Sequence, residues 1–389
     1  MKKNVMGKQV HTVKIETVLL VGALLNIIIT WSYSSSLLPV YAGVSIIIAI
    51  FAYGNFFLKL SQIDGVYGLI CIFLLFESFF TGVLMRSGLK SMIMVNMSLF
   101  LPVGISTLKI DITNAKKGAC IISLLSFALM FLHVETGILG HINSNTISFL
   151  AYILLSTGFI WYEYSKAKIV PIFYFASCMM IFLRTGSRNA AITIVICFFL
   201  LALPKAIVKR KCIFRVIYGL ALIYSFFALK VMEWGFNQPR ISHYLNAFTS
   251  AFSEKAWGME GRVYFFQKIA QKLDSLDFLT QLFGEGVCQH LGHNLYYQCV
   301  YMWGIVGTIL IYLLLIYIFE IAYKEIIRGN LLVYGCFIIL VGHIILNGAD
   351  VYLFGAETCQ PLPMIILGIV LHQHRYRRDK EREEMYCNE

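Results

Sequence analysis

Apolar runs of roughly 17–25 residues, each closed by a few polar or charged positions, recur along almost the whole chain. That is the length an α-helix needs to cross the hydrocarbon core of a bilayer. Backbone polar groups cannot stay unpaired in lipid, so each run predicts a helix and not an irregular crossing. About twelve such segments are predicted, near 17–36, 37–58, 66–85, 91–107, 118–134, 147–161, 169–183, 189–203, 212–232, 295–319, 330–347 and 357–371. The first two meet at a tight turn, Ser34-Ser35-Ser36, and Pro361 and Pro363 interrupt the last. The period-two alternation of a membrane β-barrel is absent. The predicted fold class is all-α: a polytopic membrane protein forming one integral membrane domain over 1–389, with a charged tail at 373–389 expected to fray in the cytoplasm.

One long polar segment, 233–293, breaks the pattern. Within it Phe266, Ile269, Leu273 and Leu276 recur at helical spacing, with Gln267, Lys268, Gln271 and Lys272 on the other face, which predicts an amphipathic helix. Ile241, Tyr244 or Leu245, Phe248 and Phe252 predict another just upstream. Beside a membrane such helices lie in the interface. Arg240 and Arg262 then stand near two helix starts, at the depth of lipid phosphates.

Composition removes the water-soluble alternative. With 59% hydrophobic residues, 14% charged residues and a mean hydropathy of +0.74, the chain has too few polar side chains to cover a soluble surface. The net charge of +11 is mostly topological. With the N-terminus inside, about 22 of the 32 basic residues fall in cytoplasmic segments, as the positive-inside rule requires. They include Lys2, Lys3, Lys8 and Lys14, the cluster from Lys205 to Arg215, and Arg375, Arg377, Arg378, Lys380 and Arg382. An even number of spans with both termini cytoplasmic follows, and nucleic-acid binding does not. The first span, of full membrane length, reads as an uncleaved anchor. The ten cysteines run from Cys71 to Cys387 with no C-x-x-C pair, so neither a metal site nor a disulfide framework is expected.

A few polar residues stand out against this background. Arg184, Ser187 and Arg188 lie between two spans on the face opposite the basic loops, with Gly186 allowing a tight turn. Snorkelling to outer-leaflet phosphates is one explanation; a fixed clamp for a diphosphate or another anion is the other, and the guanidinium fork suits it. Arg262 follows Glu260 and Gly261 at the start of the amphipathic helix, a positioned charge. His293 stands where the long segment returns to the membrane, followed by Asn294, and near arginines it fits a proton acceptor or a diphosphate ligand. Gly284-Glu285-Gly286 lacks the flanking strand of a nucleotide loop and reads as a turn that brings His293 toward the site. Glu77 lies mid-span, with Arg86 or a neighbouring helix as its expected partner, and Asp350 and Glu357 flank the last outer loop.

Taken in order, Ser187-Arg188 ending one span, Gly261-Arg262 in the long outer loop, Phe283-Gly284-x-Gly286, then His293-Asn294 and Gly304-x-x-Gly307 in the next span resemble the O-antigen polymerase and ligase superfamily. The resemblance runs from Arg184 to Gly307; upstream it is only a run of spans. Where many members carry Trp shortly after the loop arginine, this chain has Phe265 and Phe266. The resemblance implies a metal-independent glycosyltransferase without cofactor, on the outer face of the bacterial cytoplasmic membrane. Its donor would be an oligosaccharide on undecaprenyl diphosphate, lengthened into capsule, exopolysaccharide or O-antigen. It further implies that Arg188 and Arg262 neutralise the diphosphate and that His293 assists at the reacting centre, with Arg184, Ser187, Arg240, Glu260 and Asn294 binding substrate. Membrane lipids, a chain-length regulator and a flippase of the same pathway are the expected partners. A ligase transferring the glycan to lipid A–core shares these residues, while a flippase or permease would instead spread charges along a central path.

Overall fold

In the computed structural model, which describes residues 12–34, 37–81, 88–139, 144–184, 188–236, 271–285, 294–348 and 360–387, the described parts of the predicted apolar segments are mostly helical. In chain order these are α1 (Ile15–Ser34), α2 (Leu38–Leu58), α3 (Gly65–Phe79), α4 (Gly88–Ser106), α5 (Ala115–Thr136), α6 (Ser144–Leu155), α7 (Gly158–Tyr164), α8 (Ile169–Arg184) and α9 (Arg188–Ala202). The short α10 (Lys205–Val208), α11 (Lys211–Phe236), α12 (Phe278–Phe283), α13 (Leu295–Ile327), α14 (Leu331–Leu346) and α15 (Pro361–Cys387) complete the series. The strand content among the described residues is a two-residue parallel pair, β1 (Val13–Lys14) on β2 (Ile110–Asp111). Six of the described helices are long and apolar enough to cross a membrane, and five shorter apolar helices accompany them. The chain has the make-up of a multi-pass α-helical membrane protein.

The centre of the bundle is α14. Every residue from Leu332 to Leu346 is buried, as expected for a helix that is apolar all round. It packs against α7, α9, α11, α13 and α15. Many large apolar side chains, such as Leu69, Phe76, Phe173 and Phe199, are instead exposed on the outside of the bundle.

Three features depart from the sequence pattern. The segment predicted as one helix over 147–161 is α6 and α7, broken at Ser156 and Thr157. Their hydroxyls donate back to the carbonyls of Ile153 and Leu154, each at 2.9 Å, and Gly158 lets the Tyr174 ring approach closely. The second departure is in α13, where Gly304 has φ 62° and ψ −169°, so a helix of nine residues meets a longer one at a kink.

The third departure is the tail, which does not fray in the described residues: α15 continues as helix to Cys387. Its basic side chains find acids on the helices beside it. Arg377 Nε lies 2.9 Å from the fully buried Glu325 carboxylate, which His374 (3.5 Å) and Arg328 (3.8 Å) also approach. Arg378 pairs with Asp64 at 3.5 Å, and Asp64 also caps α3 and accepts from the Tyr317 hydroxyl at 2.8 Å. Arg375 donates to Gln62 and to the Leu108 carbonyl. Burial and the neighbouring Arg375 charge push the His372 imidazole down to about 4, so it is neutral at pH 7.

These contacts also sort the helix ends. The loops near Asp64, Leu108, Lys209 and Arg328 gather with α15 at one end, whereas the ends of α5, α8 and α14 gather with the starts of α9 and α13 at the other. Glu325→Gln should loosen α15, because the basic groups facing that carboxylate lose their buried acceptor. The guanidiniums keep part of their hydration, so the expected cost is about 1–3 kcal/mol. Limited proteolysis should then cut within 376–387 faster than in the wild type; an unchanged cutting rate would mean that apolar packing alone holds the helix.

Candidate functional site

The C-terminal end of α14 organises the end of the bundle opposite α15's charged turns. Three consecutive carbonyls there are used by three donors from two other helices. Asn189 Nδ2 donates to Leu346 O at 2.8 Å. The Leu295 amide donates to Asn347 O at 2.8 Å. Asn294 Nδ2 donates to Gly348 O at 2.8 Å and to Ser225 O of α11 at 2.9 Å. Asn294 Oδ1 accepts from the Tyr297 amide at 3.2 Å, the usual duty of an asparagine at a helix start.

Asn294 is completely buried and its amide is spent on these bonds. It therefore works as a clasp that positions its neighbours. The starts of α9 and α13 are thus fixed to the same three-residue stretch, 346–348. Arg188 is the first residue of α9, and His293 directly precedes Asn294 in the chain. Two helix starts held to one stretch also bring their positive dipole ends to one place, a setting that favours an anion.

Arg184, at the end of α8, is ion-paired with Glu135 at the end of α5; both side chains are about half exposed. An incoming anion would have to displace that carboxylate. The Arg188 side chain, together with Ser187, Arg240, Glu260, Arg262 and His293, lies outside the described residues, as do Arg86, Asp350 and Glu357 and the predicted helix upstream of Arg262. Of the amphipathic helix, 271–274 is described and helical.

The two glycine motifs meet each other. Gly284 has φ 76° and sits against the kink of α13, where the Glu285 amide donates to Tyr301 O at 2.9 Å. A Cβ on Gly304 would stand 2.2 Å from Leu282 O, and one on Gly284 2.5 Å from Gly304 N. Neither contact can be relieved by a side-chain rotation, because both partners are backbone. Around this junction Lys272 Nζ reaches the Tyr301 hydroxyl at 2.5 Å and Glu285 at 3.6 Å, and the same hydroxyl donates to the Glu285 carboxylate. Just before it, Asp277 caps α12, and bonds from the Thr280 hydroxyl and amide hold the Asp277 carboxyl below its usual range. The loop segment is fastened to the membrane bundle at a defined point.

Glu77 lies beneath the kink, against Gly307, and is buried. Among the described residues neither carboxylate oxygen has a hydrogen-bond partner. Beside the junction a groove of 390 Å³ opens between α11, the loop segment and the start of α13, walled by Phe226, Phe227, Tyr296 and Tyr297. Among the described residues no three His, Cys, Asp or Glu side chains gather closely enough to hold a metal ion.

Several of these participants carried no strong signal in the sequence. Asn189 follows an arginine that drew the attention, and Tyr301 lies inside an apolar run. The paired aromatics Phe226-Phe227 and Tyr296-Tyr297 lie far apart in the sequence, and only the fold brings Phe226 against Tyr296. No family model, curated protein or solved structure matches the chain.

Proposed function

We propose that the protein is a polysaccharide repeat-unit polymerase of the bacterial cytoplasmic membrane, with twelve spans, both termini cytoplasmic and its catalytic loop on the outer face. It transfers a glycan from undecaprenyl diphosphate to the non-reducing end of another lipid-linked repeat unit. The observation that carries the reading is the double clasp at 346–348, which holds the helix start bearing Arg188 beside the one that follows His293.

The chemistry asked of these residues is limited. An acceptor hydroxyl attacks the anomeric carbon, the bond from that carbon to the diphosphate oxygen breaks, and undecaprenyl diphosphate leaves with the electron pair. Negative charge develops on the leaving group, and prepositioned guanidiniums at 188 and 262 stabilise it. The acceptor proton passes to the His293 imidazole. Asn294 fixes the helix start that follows this histidine in the chain, and the Gly284–Gly304 junction fastens the described end of the loop to the bundle.

The ion pairs among the described residues lie beyond the apolar stretches or within a turn of their ends, as for Arg184–Glu135, Lys205–Glu163 and Arg215–Glu320, while the buried Glu77 is in none of them. A flippase or permease would need charges along the middle of the bundle, so this distribution favours the enzyme. A ligase would share the donor half of the site and differ in its acceptor.

Arg188→Lys and Arg262→Lys test the donor half. Lysine restores the charge but not the two-pronged donor geometry, so each variant should make little polymer at normal protein level. Full polymer from both would reduce these arginines to surface charges.

A further inference from the structure

The groove of 390 Å³ beside Asn294 falls in the size range of small-molecule sites, and it joins aromatic walls to a few polar side chains. We infer that it is the acceptor subsite and that it binds the uncharged glycan of the acceptor, not its diphosphate; the inference rests on the polymerase reading. Position is the first argument. Phe226 follows Ser225, whose carbonyl Asn294 grips, and Tyr296 follows that same asparagine by two residues. The groove is therefore within a helical turn of Asn294, the residue that follows His293 in the chain.

The lining is the second argument. The Phe226 and Tyr296 rings are tilted at 58° to each other with centroids 4.2 Å apart, Phe226 meets Phe227 edge-on at 4.7 Å, and Tyr296 meets Tyr297 edge-on at 5.4 Å. Such a cluster is rigid and presents ring faces and edges, and the C–H face of a sugar ring is an apolar surface that fits against them. Polar partners for hydroxyl groups stand at the rim. Asp274 is exposed there, and Gln281 spends its amide nitrogen on the Leu273 and Leu276 carbonyls, so its oxygen is the end left to accept.

Charge is the third argument, and it decides the ligand class. Lys230 and Asp274 line the same groove with opposite sign. A diphosphate with two or more negative charges would meet a carboxylate as well as an ammonium. A neutral polyol uses both, one as donor and one as acceptor. The two halves of the reaction are thereby separated: guanidiniums for the charged leaving group, aromatics with a balanced pair for the uncharged sugar.

The test uses the full chain in lipid nanodiscs and, as probe, the lipid-free repeat-unit oligosaccharide released from the host's own polysaccharide. Saturation-transfer NMR should detect binding to the wild type and to Tyr296→Phe. It should fall about tenfold in Tyr296→Ala and in Asp274→Ala, a loss corresponding to one stacking or hydrogen-bonding contact. In the elongation reaction the same two alanine variants should raise the KM for acceptor and leave the KM for donor unchanged. Wild-type binding of the free glycan by Tyr296→Ala and Asp274→Ala, both melting at the wild-type temperature, would overturn the proposal. So would an absence of transfer to the glycan in the wild type. An enzyme that elongates lipid-linked units yet shows neither effect keeps the polymerase reading and loses the groove. A glycan bound through Tyr296 and Asp274 in a protein that never elongates keeps the groove and loses the polymerase.

Discussion

His293→Ala is expected to slow elongation by on the order of 10²–10⁴ fold, the contribution of a positioned general base, with normal amounts of protein in the membrane. The protein should persist because the clasp that organises this end of the bundle belongs to Asn294, Asn189 and the Leu295 amide and survives the change. Steady-state rates of glycan lengthening, measured beside the amount of folded protein, check this. A wild-type rate would return the histidine to a structural role and leave the arginines as the site. A loss of folded protein instead would mean that residue 293 supports the clasp.

Gly304→Ala should be the most damaging single change in the described residues. At φ 62° and ψ −169° the residue occupies a region essentially reserved for glycine, which costs about 1–3 kcal/mol for any other side chain. The new methyl group would also lie 2.2 Å from the Leu282 carbonyl oxygen and 2.4 Å from the Phe283 nitrogen. Backbone cannot rotate away, so the loop segment has to lift off the kink, breaking the Glu285 amide bond to Tyr301 and the contact with Lys272. Relief of the overlap adds roughly another 1–3 kcal/mol. Against a total stability on the order of 5–15 kcal/mol, the melting temperature should fall and elongation should stop. Gly329→Ala, at a positive-φ glycine with open space around it, should cost only the backbone term. Equal melting temperatures for wild type and Gly304→Ala would contradict the packing described here.

The helices were legible because run length and lipid solvation leave the backbone no alternative. What periodicity missed was decided by partners far away in the chain. The basic turns of α15 look like a solvated tail until Asp64 and Glu325 are beside them, and Asp64 is more than three hundred residues distant. The break at Ser156 and Thr157 lies inside a continuous apolar stretch, and its cause is local back-bonding by hydroxyls. Gly284 and Gly304 were visible as two separate motifs; that each fills the space a side chain would need in the other is a tertiary fact. Asn294 stood out in the sequence, but its bonds to Gly348 and Ser225 across the bundle are visible only in the fold. The groove draws its walls from α11, the loop and α13, so only the fold assembles it.

The most direct measurement gives purified protein in lipid a single substrate, the undecaprenyl-diphosphate-linked repeat unit, with a chelator present and no nucleotide. The account predicts lipid-linked glycans of increasing length, one undecaprenyl diphosphate released per bond formed, and no loss of rate to the chelator. Glycans that keep their length while the lipid crosses the bilayer, or that transfer only to added lipid A–core, would contradict it.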